Sequence, residues 1–279
     1  MKPPSGKLFK SVLGVISPKT YAELVERESS EDRARIITQE LARAEVRYAE
    51  TGKPKHRRKA QRMRTLRQEA IALLQLDISG AEPNPLDPDF RELFISRSGD
   101  VTRDDLQKFM AKLLAEEVTD PGSMSKRAIN AVADLSIEEA KAFSNLCQFN
   151  WHVGGLTWPI VHDLNLDQIN LFAVELLQSI GLVSEKTTGY ILNLTAGDPV
   201  MFSYGDRVAV LRSDSPVAVR MGRVRLTPVG EQLAGLVDFN PVEGLFETCL
   251  NKWRGQKVEV YEDNDFAEMA RHTEKQNPA

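Results

Sequence analysis

Apolar residues recur at alternating steps of four and three through residues 31–50, where Ile37, Leu41, Ala44 and Tyr48 mark one stripe of a helix. Ser29 or Ser30 offers a cap for it, and Thr51-Gly52-Lys53-Pro54 supplies a glycine stop and a proline suited to the first turn of a second helix. That second helix is predicted to run to about Leu76, with Met63, Leu66, Ala70, Leu73 and Leu74 again at helical spacing. A tight reversal between two such stripes predicts an antiparallel helical hairpin, each arm on the order of 30 Å long.

Three prolines between Gly80 and Pro88 disfavour helix and predict a linker. Beyond it, Leu106, Phe109, Met110, Leu113, Leu114 and Val118 give an amphipathic helix ended by Pro121-Gly122. Ser123 or Ser125 caps a short helix with Ile129 and Val132, and Ser136-Ile-Glu-Glu139 is a capping box for a helix bearing Ala140, Phe143, Leu146 and Cys147. A further helix is predicted over Asp167–Ile180, stopped by Gly181. The period then changes: Tyr190–Leu194, Val200–Tyr204, Arg207–Leu211 and Pro216–Leu226 are β-prone runs between Gly-Asp and Ser-Asp-Ser turn signals, and Thr227-Pro228 restarts a helix. The expected fold is mainly α with a smaller β-rich part. Its parts are a basic N-terminal hairpin (1–80), a Pro-rich linker (81–89), a central helical domain (90–163), a winged-helix-like α+β module (164–255) and a polar tail (256–279).

Composition narrows the classes. In 279 residues, 42% hydrophobic and 27% charged, wholesale disorder and fibrous repeats are excluded. Two cysteines, Cys147 and Cys249, exclude a disulfide scaffold or a multi-cysteine metal site and point to a reducing compartment, so a cytoplasmic location is expected. No apolar run approaches the roughly 18 residues of a transmembrane helix. Leu8, Phe9, Val12, Leu13 and Ile16 beside Lys7 and Lys10 could form a short interfacial helix. Charge is unevenly spread: residues 1–80 hold 17 Lys and Arg against 10 Asp and Glu, a net +7, while the remainder holds 19 against 30, a net −11. Such a split suggests separate modules, the first able to meet an anionic partner or to dock on the acidic remainder.

The run Asp105-Leu-Gln-Lys-Phe-Met-Ala-Lys-Leu-Leu-Ala-Glu-Glu-Val-Thr-Asp-Pro-Gly-Ser-Met-Ser125, continued by Asp134-Leu-Ser-Ile-Glu-Glu-Ala-Lys-Ala-Phe143, resembles a bacterial domain-of-unknown-function family, the one numbered 2806. In layout, with Ser179-Ile-Gly-Leu-Val183 and Leu226-Thr-Pro-Val-Gly230, the chain is also similar to the abortive-infection alpha group. That second resemblance implies a setting in phage defence. Neither resemblance supplies catalytic residues, and the β-rich stretch before Leu226 is longer than a simple wing needs.

Candidate chemistry is sparse. Glu116 and Glu117 are adjacent on a helix, so they point about 100° apart and do not converge as an acid and base pair; both are expected to face solvent. Pro121, Gly122, Ser123 and Ser125 read as helix stop and restart, and Cys147 as core. His152, His162 and Asp163 form the one cluster from which an enzyme site could be assembled, too few ligands for a resident metal, and neither metal nor cofactor is expected. The helix over Asp167–Ile180 carries Asp167 and Glu175 and no cation, which disfavours entry into a DNA groove. Arg207, Arg212, Arg220, Arg223 and Arg225 on the strands could compensate, although alternation puts only some on one face.

Folding alone explains least the eight cations between Lys53 and Arg67, among which no acid occurs. They sit at a helix start, where the macrodipole favours anions. Glu40, Glu45 and Glu50 across the hairpin could pair with some of them, giving an internal electrostatic seam. Otherwise Lys55, Arg57, Arg58, Lys59, Arg62, Arg64 and Arg67 bind an anionic partner, a nucleic acid or an acidic protein surface. The hairpin is also a surface through which the chain could form a homo-oligomer. The expected function is that of a noncatalytic interaction or regulatory protein, with an enzyme sited near His152, His162 and Asp163 as the alternative.

Overall fold

A computed structural model describes residues 18–74, 86–161, 169–256 and 258–262, with side chains described from Arg33 onward. The described chain is a mixed α and β protein with nine helices and two small antiparallel sheets. It divides into two compact units, Met1–Asp134 and Leu135–Ala279.

The first unit is helical: α1 (Pro18–Glu50), α2 (Pro54–Leu74), α3 (Pro88–Ser98), α4 (Asp104–Thr119) and α5 (Lys126–Asp134). The hairpin forms as the stripes predict, with Gly52 at φ 67° in the turn and Pro54 opening α2. Ser29 and Ser30 cap nothing, because α1 begins at Pro18 and runs through them for 33 residues. Ile37, Leu41 and Ala44 from α1 and Met63, Leu66 and Ala70 from α2 are buried, and α2 packs on α4, where Met110, Leu113 and Leu114 are fully buried. Leu73 is instead exposed. The hairpin thus shares its core with α4 inside one unit. Buried Arg33 of α1 reaches the C-terminal end of α4, donating from Nε to Val118 O (2.6 Å) and from Nη2 to Thr119 O (3.2 Å), so a cation meets the negative end of the helix dipole.

Glu117 departs from the sequence expectation. Glu116 is exposed, but Glu117 is buried and its two carboxylate oxygens accept from Gly122 N and Met124 N, both at 2.9 Å. The 100° step between neighbours that keeps the two acids apart also turns the second inward, onto the backbone of the Pro121-Gly122 turn. Burial pushes the Glu117 carboxyl above its usual range, the two N–H bonds bring it part of the way back, and Asp120 and Asp87 raise it further.

The second unit holds α6 (Ile137–Cys147), β1 (Asn150–Val153), β2 (Leu156–Pro159), α7 (Leu171–Ser179), β3 (Val183–Leu194), β4 (Val200–Tyr204), β5 (Arg207–Arg212), β6 (Val217–Leu226), α8 (Pro228–Ala234), α9 (Leu245–Arg254) and β7 (Glu259–Glu262). The Ser136–Glu139 capping box is present in both directions. Residues 150–159, expected inside a helical domain, instead form a hairpin, with Gly154 and Gly155 both at positive φ (55° and 83°) as a two-residue turn of that hand needs. This hairpin edges a five-stranded sheet of order β2-β1-β4-β5-β7, so β7 lies in the stretch read as polar tail.

Trp151 is the hub of the core here. Its ring stacks on Tyr204 (4.9 Å) and Phe246 (5.3 Å) and meets Trp253 edge-on (5.1 Å). The Tyr204 hydroxyl donates to Gln148 O (2.7 Å) and accepts from Val242 N (2.6 Å).

The long pair β3 and β6 forms the second sheet. The two segments compared above with the abortive-infection group meet at its end: Thr227 N donates to Leu182 O (3.0 Å), and the Thr227 hydroxyl to Gly181 O (2.7 Å). A Cβ on Gly230 would sit 2.0 Å from Leu182 O, so only glycine permits this approach.

Candidate anion-binding face and the reach of the family

The basic run divides into two halves. Its later members are held by the first unit itself: Arg64 and Arg67 both bind Glu45 (2.7 and 3.1 Å), and Arg62 donates to Gly99 O (2.9 Å). Lys59 pairs with Asp100 (2.6 Å) and lies 5.6 Å above the Tyr48 ring. Its earlier members, Lys53, Lys55, Arg57 and Arg58, are exposed around the hairpin turn and have no partner among the described residues. Of the three acids expected to neutralise the run, only Glu45 does so. Glu40 faces Arg91 (3.5 Å) and Arg43 (3.9 Å), and Glu50 is exposed with no partner among the described residues.

Helical geometry explains the division. Positions 59, 62, 63, 66 and 67 lie on or beside the face of α2 that packs inward, so the aliphatic stems of Lys59, Arg62 and Arg67 lie along that apolar surface while their heads reach Asp100, Gly99 O and Glu45. The first turn of α2 projects beyond the core. Lys53 to Arg58 therefore gather four charges there, with the N–H groups of the helix start adding positive potential. His56 belongs to the turn: its Nδ1 lies 2.8 Å from the Thr51 hydroxyl, and its ring meets Tyr48 edge-on.

The strand arginines are largely consumed by their own unit. Arg223 pairs with Glu185, and Arg207 pairs with Glu247 and Glu262 while its guanidinium lies 3.8 Å over Phe246. Buried Arg212 meets Asp214 (3.2 Å) and Glu259 (3.5 Å), and Arg225 stacks over Trp158 (5.3 Å). Only Arg220 presents an exposed guanidinium with no partner among the described residues.

Of the enzyme cluster, His152 is on β1 with Nδ1 3.3 Å from the Thr157 hydroxyl; His162 and Asp163 lie outside the described residues, as do residues 8–16 of the suggested interfacial helix. Among the described residues no group of three His, Cys, Asp or Glu side chains could hold a metal. Burial pushes the thiols of Cys147 and Cys249 up to about 12, which leaves them protonated and poorly nucleophilic. No helix among the described residues is long and apolar enough to cross a membrane.

Residues 46–173 match the family model described as protein of unknown function (DUF2806). That stretch is similar to DUF2806. It bears out the resemblance carried by the LLAEEV helix and the PGS turn, and extends it back to the end of α1. The DUF2806 stretch takes in the whole basic run, helices α2 to α6 and the β1–β2 hairpin. No curated protein and no solved structure matches the chain.

Proposed function

We propose that the chain is a noncatalytic interaction protein that grips a polyanionic partner with the tip of its helical hairpin, through Lys53, Lys55, Arg57 and Arg58. The observation that carries this reading is the division of the basic run: four cations satisfy the fold and four serve no internal contact among the described residues. Uncompensated like charges at a helix N-terminus cost local stability, so their presence there calls for a counter-charge from outside. Lys59, Arg62, Arg64 and Arg67 then shape the tip and are not themselves contacts. Two free, buried thiols accord with a cytoplasmic setting. The similarity of layout to the abortive-infection alpha group is the support for a defence role and for a winged-helix-like use of β3, β6 and α7. With one unengaged arginine on its strands, such a module suits protein contact better than DNA. Self-association through the hairpin would use the α1 groove at Glu40, Ala42, Arg43, Val46 and Arg47, where Val46 is 53% exposed.

Titration of the full chain with single-stranded RNA and duplex DNA across a salt series tests the grip. Four phosphate contacts predict a log–log slope of about −3 to −4 on duplex and little dependence on base sequence. Reversing Lys53, Lys55, Arg57 and Arg58 to Glu should abolish binding with the melting temperature nearly unchanged. Absence of binding to either nucleic acid at low salt transfers the proposal to an acidic protein surface, and a large fall in melting temperature in the four-fold variant would show that the cations serve the fold and end the reading.

A further inference from the structure

Where β3 and β6 lose register, their sheet carries a cleft of about 520 Å³. Between the paired positions Glu185↔Val224 and Tyr190↔Gly222, β3 has four residues, Lys186 to Gly189, and β6 has only Arg223. The excess bulges out of the ladder and leaves Thr187 and Thr188 exposed, their hydroxyls without a partner among the described residues. The same irregularity resets the alternation of β6. Val219 and Met221 are buried, then Val224 and Leu226, a step of three where two is regular. Arg223 thereby joins Arg220 on the outward side instead of following Met221 inward. Between them Gly222, at φ 95°, leaves bare backbone, because a Cβ there would lie 2.5 Å from Val161 O. Lys252 enters the lining from the last turn of α9, and Gln256, just past that helix, fastens its end to β6 by accepting from Arg220 N at 2.8 Å. Among the described residues the lining thus holds three cations, Arg220, Arg223 and Lys252, and no carboxylate.

We propose that this cleft binds a small phosphate monoester. Charge decides the class. Three cations against the one carboxylate that pairs with Arg223, that of Glu185, leave a net +2, which matches the roughly −1.5 to −2 of a monoester near pH 7. Arg220 is exposed, and its guanidinium has no partner among the described residues, so its planar fork is open to two phosphoryl oxygens. The Thr187 and Thr188 hydroxyls can donate to the third. An internal nucleic-acid phosphate is a diester with a single charge and two free oxygens, which leaves part of this donor set unused. The preference therefore runs to a terminal phosphoryl group. The volume falls in the range of small-molecule clefts, roughly 300–1,000 Å³, and leaves room for the organic group of the ester beside the phosphate. The site lies in the second unit and does not rest on the reading of the hairpin tip.

Methyl phosphate and dimethyl phosphate, a matched monoester and diester, each titrated into the isotopically labelled full chain at about pH 7.5, provide the test. Methyl phosphate should shift the backbone amides of Thr188, Gly189 and Gly222 saturably, and dimethyl phosphate should bind about tenfold more weakly. Arg220→Gln should lower the affinity for methyl phosphate about tenfold with the melting temperature unchanged, since the backbone bond from residue 220 to Gln256 survives the substitution. Thr188→Val should weaken binding several-fold. The variant with Lys53, Lys55, Arg57 and Arg58 changed to Glu should bind methyl phosphate as the wild type does. The proposal is overturned if millimolar methyl phosphate leaves the three amides unmoved, if dimethyl phosphate binds as well, if Arg220→Gln binds as the wild type, or if the four-fold hairpin variant loses binding, which would assign the phosphate to the tip.

Discussion

Glu117 shows how one side chain can carry a turn. Its carboxylate substitutes for the helix partners that Gly122 N and Met124 N lack, so Glu117→Ala should cost about 1–3 kcal/mol by stranding the buried Met124 N–H and releasing the part-buried Gly122 N–H, measurable in denaturant melts. The pH response has a definite sign. A carboxyl whose pKa rises on folding favours the folded state when protonated, and its ionisation becomes a growing penalty as pH climbs from the ordinary glutamate range through the folded value. The stability of the wild type relative to Glu117→Gln should therefore fall as pH rises above the ordinary glutamate range, and a difference that rises instead would show that the two N–H bonds outweigh burial.

At the scale of elements, the buried side of α4 is the mechanical centre of the first unit. Leu113 is fully buried, and Leu113→Ala should cost about 2–5 kcal/mol. A change within about 0.5 kcal/mol would contradict its packing. Elements with both a stripe and a terminal signal were legible in the sequence: the hairpin around Gly52-Lys53-Pro54, the Ser136–Glu139 box, and Thr227-Pro228, where Thr227 accepts from Gly230 N as a cap should. Others failed for local reasons. Ser29 and Ser30 look like a cap, yet nothing obliges a serine inside a 33-residue helix to end it. Strands β1 and β2 have four residues each, too short for alternation to outweigh the helices around them, although Gly154-Gly155 was a usable hairpin signal. The basic run was conspicuous as composition, but its division into held and open halves depends on where Asp100, Gly99 and Glu45 lie in three dimensions.

For the whole molecule, the joining of residues 179–183 to residues 226–230 fastens the start of β3 and the end of β6, at one end of their sheet, to one glycine. Gly230→Ala must displace either α8 or the Leu182 carbonyl, and a loss above 2 kcal/mol is expected in thermal melts of the full chain, with Gly235→Ala, whose added methyl meets nothing closer than 3.7 Å, as the mild control.

Trp151, Trp158 and Trp253 are the chain's three indoles, all in the second unit and none more than 6% exposed. None of their ring nitrogens has a hydrogen-bond acceptor among the described residues. Native fluorescence should accordingly lie at the blue end of the tryptophan range and report on that unit alone, while far-ultraviolet ellipticity is weighted towards the long helices of the first. In a guanidinium titration of Leu113→Ala, ellipticity should begin to fall before the emission reddens. The placement of three rings gives each half of the chain its own optical channel, without a label.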